Sequence, residues 1–259
     1  MLDSGAVRSG RMLKSAVRRL LPRGTRPHRI LGGPLRGRQI VTSWHDYPGA
    51  ILGRTELALL NWFRANVKSG ETWLDVGAHY GYTAIAMSDL VGPSGRVFAF
   101  EPILTTAGNL CLTRDLNHLP QLTVVPFGLD DSASMRAMQV PTTRGMASPL
   151  QPQTGSRDTI YLTAFEAIWD MLADGRPAIH GVKIDVQGME IAALRGMHSC
   201  LKRSLTKLVV EIHFGVDRGE FLSTVADLGY KPIGVPVDPL PGENIPGYYD
   251  DHSYAFSPA

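Results

Sequence analysis

The stretch LDVGAHYGY (74–82) reads as a buried strand that turns through glycine into a helix. Gly77 lets the chain turn sharply, and Gly81 lets a ligand or a neighbouring strand come close to the backbone. The first N–H groups of a helix have no partner within it, so they face a ligand. Ala78, His79 and Tyr82 are therefore candidate binding positions. Asp75 is placed to anchor the turn or to accept a bond from an ammonium. Glu101, in AFEP, follows Gly81 by 20 residues and closes the next strand with Pro102. An acid at that point can take both hydroxyls of a ribose. Further along, Asp185 ends the strand in KIDVQG, and Glu211 and His213 end the one in VVEIH. Strand residues two apart share a face, so Glu211 and His213 point the same way. With Asp185 they could orient a substrate, remove a proton from it, or bind a divalent cation such as magnesium.

The elements that must position these residues alternate. Strands are predicted at 72–78, 96–102, 122–128, 181–188 and 207–214, with two more in YKPIGVPV (230–237) and SYAF (253–256). Helices are predicted at 55–67, 82–91, 105–117, 189–202 and 218–228. Such alternation implies a mostly parallel sheet with helices on both faces. The strands are nearly continuous apolar runs, as expected when both faces are covered. Two stretches break the rhythm. Residues 130–180 contain a weakly patterned tract, an extended YLTAF and an amphipathic FEAIWDML, and 235–251 are rich in Pro and Gly. Long connections at the carboxyl edge of an open α/β sheet are where selectivity for a substrate would sit.

The glycine turn reads G-A-H-Y-G rather than the G-x-G-x-x-G of dinucleotide enzymes. His79 and Tyr80 would crowd a pyrophosphate, so the turn suits an adenosine-bearing cofactor without phosphates. Gly128, Leu129 and Asp130, in PFGLDD, lie where an adenine ring would be flanked. Glu56 could reach an amino group of the cofactor. Glu190 is expected to cap its helix rather than to catalyse.

LDVGAHYGY, RVFAFEP, VVPFGLDD, VKIDVQGMEIAALRGM and LVVEIH occur in that order and, with GRTE (53–56), span residues 53–213. In these stretches the chain resembles the FkbM family of S-adenosylmethionine (SAM)-dependent methyltransferases. The resemblance implies a Rossmann-like class I methyltransferase fold: a mostly parallel seven-stranded sheet, helices on both faces, and an antiparallel last strand. It implies SAM as cofactor and methyl transfer to a hydroxyl on a small molecule, a sugar or a lipid-like natural product. The family usually has glutamate where this chain has Gln187. Two other readings stay open: a nucleotide-dependent oxidoreductase on a similar fold, and a catalytically silent SAM-binding module.

Composition narrows the classes. Of 26 Lys and Arg, ten fall in residues 1–38 with a single acid, Asp3, leaving 16 basic against 23 acidic residues in the rest. An acidic body argues against a nucleic-acid partner. Residues 1–38 read as a partly ordered basic arm, and 39–259 as the methyltransferase domain. The segment RMLKSAVRRLLP in the arm is loosely amphipathic, so weak contact with an anionic membrane or a partner is one expectation and a solvated tail the other. It lacks the apolar stretch of a secretory signal, and no run is long enough to span a bilayer. The two cysteines, Cys111 and Cys200, form no metal-binding or disulfide pattern and are expected as small core residues of a cytoplasmic protein.

Overall fold

A computed structural model describes residues 20–141, 155–173, 177–204, 206–243 and 245–259. Half of the basic arm, and much of the weakly patterned tract after residue 133, lie outside the described residues. The chain opens with β1 (Arg26–Arg29) and β2 (Gln39–Thr42), which pair antiparallel, so the expected boundary at residue 38 falls inside a hairpin. Then follow α1 (Pro48–Leu52), α2 (Leu57–Asn66), β3 (Thr72–Val76), α3 (Tyr82–Val91), β4 (Arg96–Phe100), α4 (Leu104–Leu116) and β5 (Leu122–Val125). After β6 (Gly128–Leu129) come β7 (Ser134–Pro141), β8 (Gly155–Thr163), α5 (Phe165–Leu172) and β9 (Gly181–Ile184). The remainder is α6 (Glu190–Gly196), α7 (His198–Ser204), β10 (Lys207–Ile212), α8 (Arg218–Asp227), β11 (Val235–Pro236) and β12 (His252–Phe256).

Seven strands form the main sheet in the order β11-β12-β10-β9-β3-β4-β5. The five from β10 to β5 are parallel, and β12 runs antiparallel to both of its neighbours. This is the expected Rossmann-like α/β architecture. The apolar runs divide residue by residue between two cores, because alternate side chains leave a strand on opposite faces. Leu74, Val76, Phe98, Phe100, Val182 and Ile184 pack with α5, α6, α7 and α8. Trp73, Val97, Ala99 and Val209 pack with α2 and α3. The order of β9, β3 and β4 brings the carboxyl ends of three strands together, and those ends carry Asp185, the glycine turn and Glu101.

The structure departs from the sequence reading in four places. The strand expected at 122–128 ends at Val125, and Gly128–Leu129 joins a separate three-stranded sheet, β6-β8-β7. The long β7–β8 hairpin replaces a tract with no clear pattern. The helix expected at 189–202 is two, broken at Met197. Just before that break Gly196 packs so closely that a Cβ there would sit 1.9 Å from the Asp130 carbonyl oxygen. Only β11 forms in 230–237. Among the cysteines, Cys200 is buried and Cys111 is half-buried on α4.

Candidate active site

Lys183 is the charged residue of an otherwise apolar strand, β9, and the parallel ladder places it directly beside Asp75 on β3. Both are buried, with Lys183 Nζ 3.1 Å from Asp75 Oδ1 and 3.4 Å from Asp185 Oδ2. Lys183 also donates to the Gly77 carbonyl oxygen at 3.0 Å, and Thr83 Oγ1 donates to Asp75 Oδ2 at 2.7 Å. Burial pulls the ammonium down, but Asp75 and Asp185 outweigh it and raise its pKa above the ordinary lysine value. Lys183 thus stitches the glycine turn to the end of β9. A Cβ on Gly77 would lie 1.8 Å from the Asp185 carbonyl oxygen, so only glycine permits this approach, at φ +82°. Replacing Lys183 with Met is expected to cost about 3–5 kcal/mol, because Asp75 would be left charged and uncompensated. The urea midpoint measures this, and the further change Asp75→Leu should recover most of the loss. An unchanged midpoint in Lys183→Met would refute the pairing.

A cavity of about 280 Å³ opens where β3, β4 and β9 end. Of the residues expected to bind cofactor, Glu56, Gly77, Ala78, His79, Tyr82, Glu101, Pro102, Gly128, Leu129 and Asp185 line it. Asp75, Gly81 and Asp130 do not. Asp75 supports the floor through Lys183. Gly81 instead gives room to α4, where a Cβ would meet Leu110 Cδ1 at 2.1 Å. Asp130 is buried against Arg136, Oδ2 to Nη2 at 2.6 Å, and ties β6 to the β7 strand.

Glu101 is the best-held acid. Its Oε2 accepts the His79 N–H and its Oε1 the Ile103 N–H, both at 3.0 Å. Each oxygen keeps a further lone pair for a ligand hydroxyl. Burial lifts the carboxyl to about 7 against the pull of those two N–H groups. Glu56 is also lifted to about 7, by burial and then by the charges of Glu211 and Asp185. Ile103, Met138, Ile160 and Leu162 form a small apolar cluster on the Glu101 side of the cavity, three of them from the hairpin the sequence did not reveal. Glu56, His79 and Gln187 all have left-handed backbone at φ 54°, 51° and 55°. Three of the six such non-glycine residues among the described ones therefore line this cavity, and backbone strain of that kind concentrates at functional sites.

At the opposite side stand Asp185 and Glu211, with His213 just behind them and off the cavity wall. His213 Nε2 lies 3.4 Å from Asp185 Oδ1 and 3.4 Å from Glu211 Oε1, and Nδ1 meets Glu190 Oε1 at 2.6 Å. Burial lowers the imidazole, but Glu190, Glu211 and Asp185 raise it to about 10. On its own, then, His213 is an imidazolium and no base at neutral pH. Burial, followed by the charge of Asp185, raises Glu211. Burial opposes ionisation of Asp185, yet Lys183 and His213 hold it below the ordinary aspartate value. Glu190 is fully buried; its Oε1 accepts the Gly188 N–H at 3.0 Å just ahead of α6, as a cap would, and also meets His213, a contact that the helix-cap reading did not foresee.

The reading from sequence missed Lys183, Tyr47, Asp46 and the hairpin residues Met138, Ile160 and Leu162, all on the cavity wall. Only Lys183 carried a signal, since a lysine inside a buried apolar strand needs a partner.

Comparison with known proteins bears on this cavity. The family model described as the Methyltransferase FkbM domain matches residues 75–232. Hexuronic acid methyltransferase AglP of Haloferax volcanii is 31% identical over 145 residues, which is 55% of this chain and 56% of that protein. An rRNA methylase of Streptococcus thermophilus superposes with a TM-score of 0.50 at 13% identity, over 80% of this chain and 98% of that one, a likeness of fold. The FkbM methyltransferase structure from Methylobacillus flagellatus KT has a TM-score of 0.48 at 17% identity, over 76% of this chain and 50% of that one. The chain thus spans about half the length of these two FkbM-type and AglP relatives.

Proposed function

The chain belongs to the FkbM methyltransferase family, and from that premise we propose that it transfers a methyl group from SAM to a hydroxyl of a sugar-containing acceptor. The observation that carries this reading is the layout of the cavity. A ribose-binding acid, Glu101, stands on one side, and two carboxylates, Asp185 and Glu211, stand on the other. Apolar Ile103, Met138, Ile160 and Leu162 offer a slot for adenine beside Glu101. Glu56 faces the amino group of the methionine part. A sulfonium methyl held between them would face Asp185 and Glu211.

Methyl transfer from a sulfonium is an in-line displacement, so the enzyme must align the acceptor oxygen and remove its proton. Asp185, kept ionised by Lys183, orients the hydroxyl. Glu211, whose pKa burial and Asp185 raise, is the better proton acceptor of the two. As the O–CH3 bond forms, the S–CH3 bond breaks and S-adenosylhomocysteine leaves. The sugar acceptor rests on AglP, whose name assigns it a hexuronic acid.

Calorimetry with SAM and with NAD(P)H, followed by detection of S-adenosylhomocysteine over a panel of sugars, tests the proposal. SAM binding, no NAD(P)H binding, and turnover of a sugar hydroxyl are expected. NAD(P)H binding would favour the oxidoreductase reading. SAM binding without turnover of any acceptor would favour the silent module. Among the described residues no helix is long and apolar enough to cross a membrane.

A further inference from the structure

We propose that Asp185 Oδ1, Glu211 Oε1 and His213 Nε2 bind a divalent transition ion of the zinc class rather than magnesium. One donor atom from each of the three residues lies within 4.8 Å of the other two, and Nε2 is 3.4 Å from Asp185 Oδ1 and from Glu211 Oε1. A zinc ion about 2.1 Å from its donors keeps neighbouring donors about 3.4 Å apart in a tetrahedron.

What distinguishes this set from a mere group of acids is that the opposite atom of every donor residue is already held. Lys183 Nζ stands 3.4 Å from Asp185 Oδ2. Ser253 Oγ donates to Glu211 Oε2 at 3.3 Å. Glu190 Oε1 meets His213 Nδ1 at 2.6 Å. Three outer contacts each leave one atom over, and those three atoms converge. Carboxylates and histidines that ligate metals are held in this way. Glu190 Oε2 is fully buried without a hydrogen-bond partner, and the fold keeps this costly acid in place to hold the imidazole and, through Oε1, the Gly188 N–H at 3.0 Å.

The Gln187 amide nitrogen lies across the open side, 2.6 Å from His213 Nε2 and 3.4 Å from Asp185 Oδ1. An ion would displace that nitrogen, and rotation of the amide would offer its oxygen as a fourth donor. The imidazole donor is what turns the set away from magnesium, which takes oxygen ligands. Two carboxylates and a neutral imidazole balance a charge of +2. Asp185, Gln187 and Glu211 line the cavity, so with the ion bound an entering hydroxyl would meet it and lose its proton more readily to water, and Glu211 would hold the ion instead of taking that proton. That last consequence rests on the methyl-transfer reading. The metal site itself does not, and its test needs neither SAM nor acceptor.

The test is the binding of zinc and cobalt(II) to the chelator-stripped full chain, by calorimetry and by visible absorption. One ion per chain is expected, with the intense visible bands of tetrahedral cobalt(II), and excess magnesium should displace neither. Glu211→Gln should weaken zinc binding about ten- to hundredfold, and so should Glu190→Gln, which touches no donor atom and only takes the charge from the outer contact to His213. Absence of zinc and cobalt(II) binding by a chain that circular dichroism shows to be folded would overturn the proposal. So would binding that Asp185→Asn and Glu211→Gln leave unchanged, or magnesium binding as tight as zinc.

Discussion

Asp185→Asn is expected to lower kcat by about a thousandfold, on the order of 4 kcal/mol of transition-state stabilisation. The side chain lines the cavity just past the end of β9, and its charge is secured by Lys183. Asparagine keeps the shape and loses the charge that, on the proposed mechanism, steers the hydroxyl and faces the sulfonium. The fold should survive for two reasons. Lys183 retains Asp75 at 3.1 Å and the Gly77 carbonyl at 3.0 Å. The Asp185 backbone N–H still donates to the Val76 carbonyl at 2.9 Å. A stopped assay of S-adenosylhomocysteine, with circular dichroism alongside, reads both halves. Activity within a few-fold of wild type would remove Asp185 from the chemistry. Loss of fold together with activity would make it a structural residue.

The parallel α/β architecture of the main sheet was legible because its determinants are local. Apolar runs of strand length, each followed by a helix period, dictate parallel pairing, and LDVGAHYGY announces where the sheet turns its carboxyl edge to a ligand. Glu101 was legible by spacing for the same reason. What the sequence hid depends on contacts far apart along the chain. Met138, Ile160 and Leu162 reach the cavity only because β7 and β8 pair, and strands pairing across a weakly patterned loop leave no periodic trace. Gly81 and Asp130 were assigned to a ligand, yet each serves packing, one against Leu110 and the other with Arg136. A glycine or an acid next to a binding turn looks the same in sequence whether it faces inward or outward. Glu190 shows the converse. Its place in the first turn of α6 suggests a helix cap, and only the return of β10 brings His213 to it.

Glu101→Gln should weaken SAM binding by about a hundredfold, and the pH dependence should reveal why. Two hydroxyls donate best to an ionised carboxylate, and each such bond to a charged group contributes about 1.5–3 kcal/mol. Burial holds the Glu101 carboxyl near 7, so below that pH binding must first expel a proton. Affinity of the wild type for SAM is therefore expected to fall as pH drops from 8 to 6. Glu56, also near 7, adds a dependence of the same sign. Glu101→Gln should keep the Glu56 part alone, and Glu101→Gln with Glu56→Gln should be flat. Stability of the unliganded chain has the opposite sign. The folded carboxyl of Glu101 binds its proton more tightly than the unfolded one, whose pKa is near 4.5. The folded state thus holds more protons between about 4.5 and 7, and Glu101 destabilises the fold progressively as pH rises through that window, by on the order of 3 kcal/mol. The rise in melting temperature produced by SAM should accordingly be larger at pH 8 than at pH 6. A ligand-induced rise independent of pH in the wild type would mean that Glu101 and Glu56 do not ionise against the cofactor. The ribose would then have to be held elsewhere.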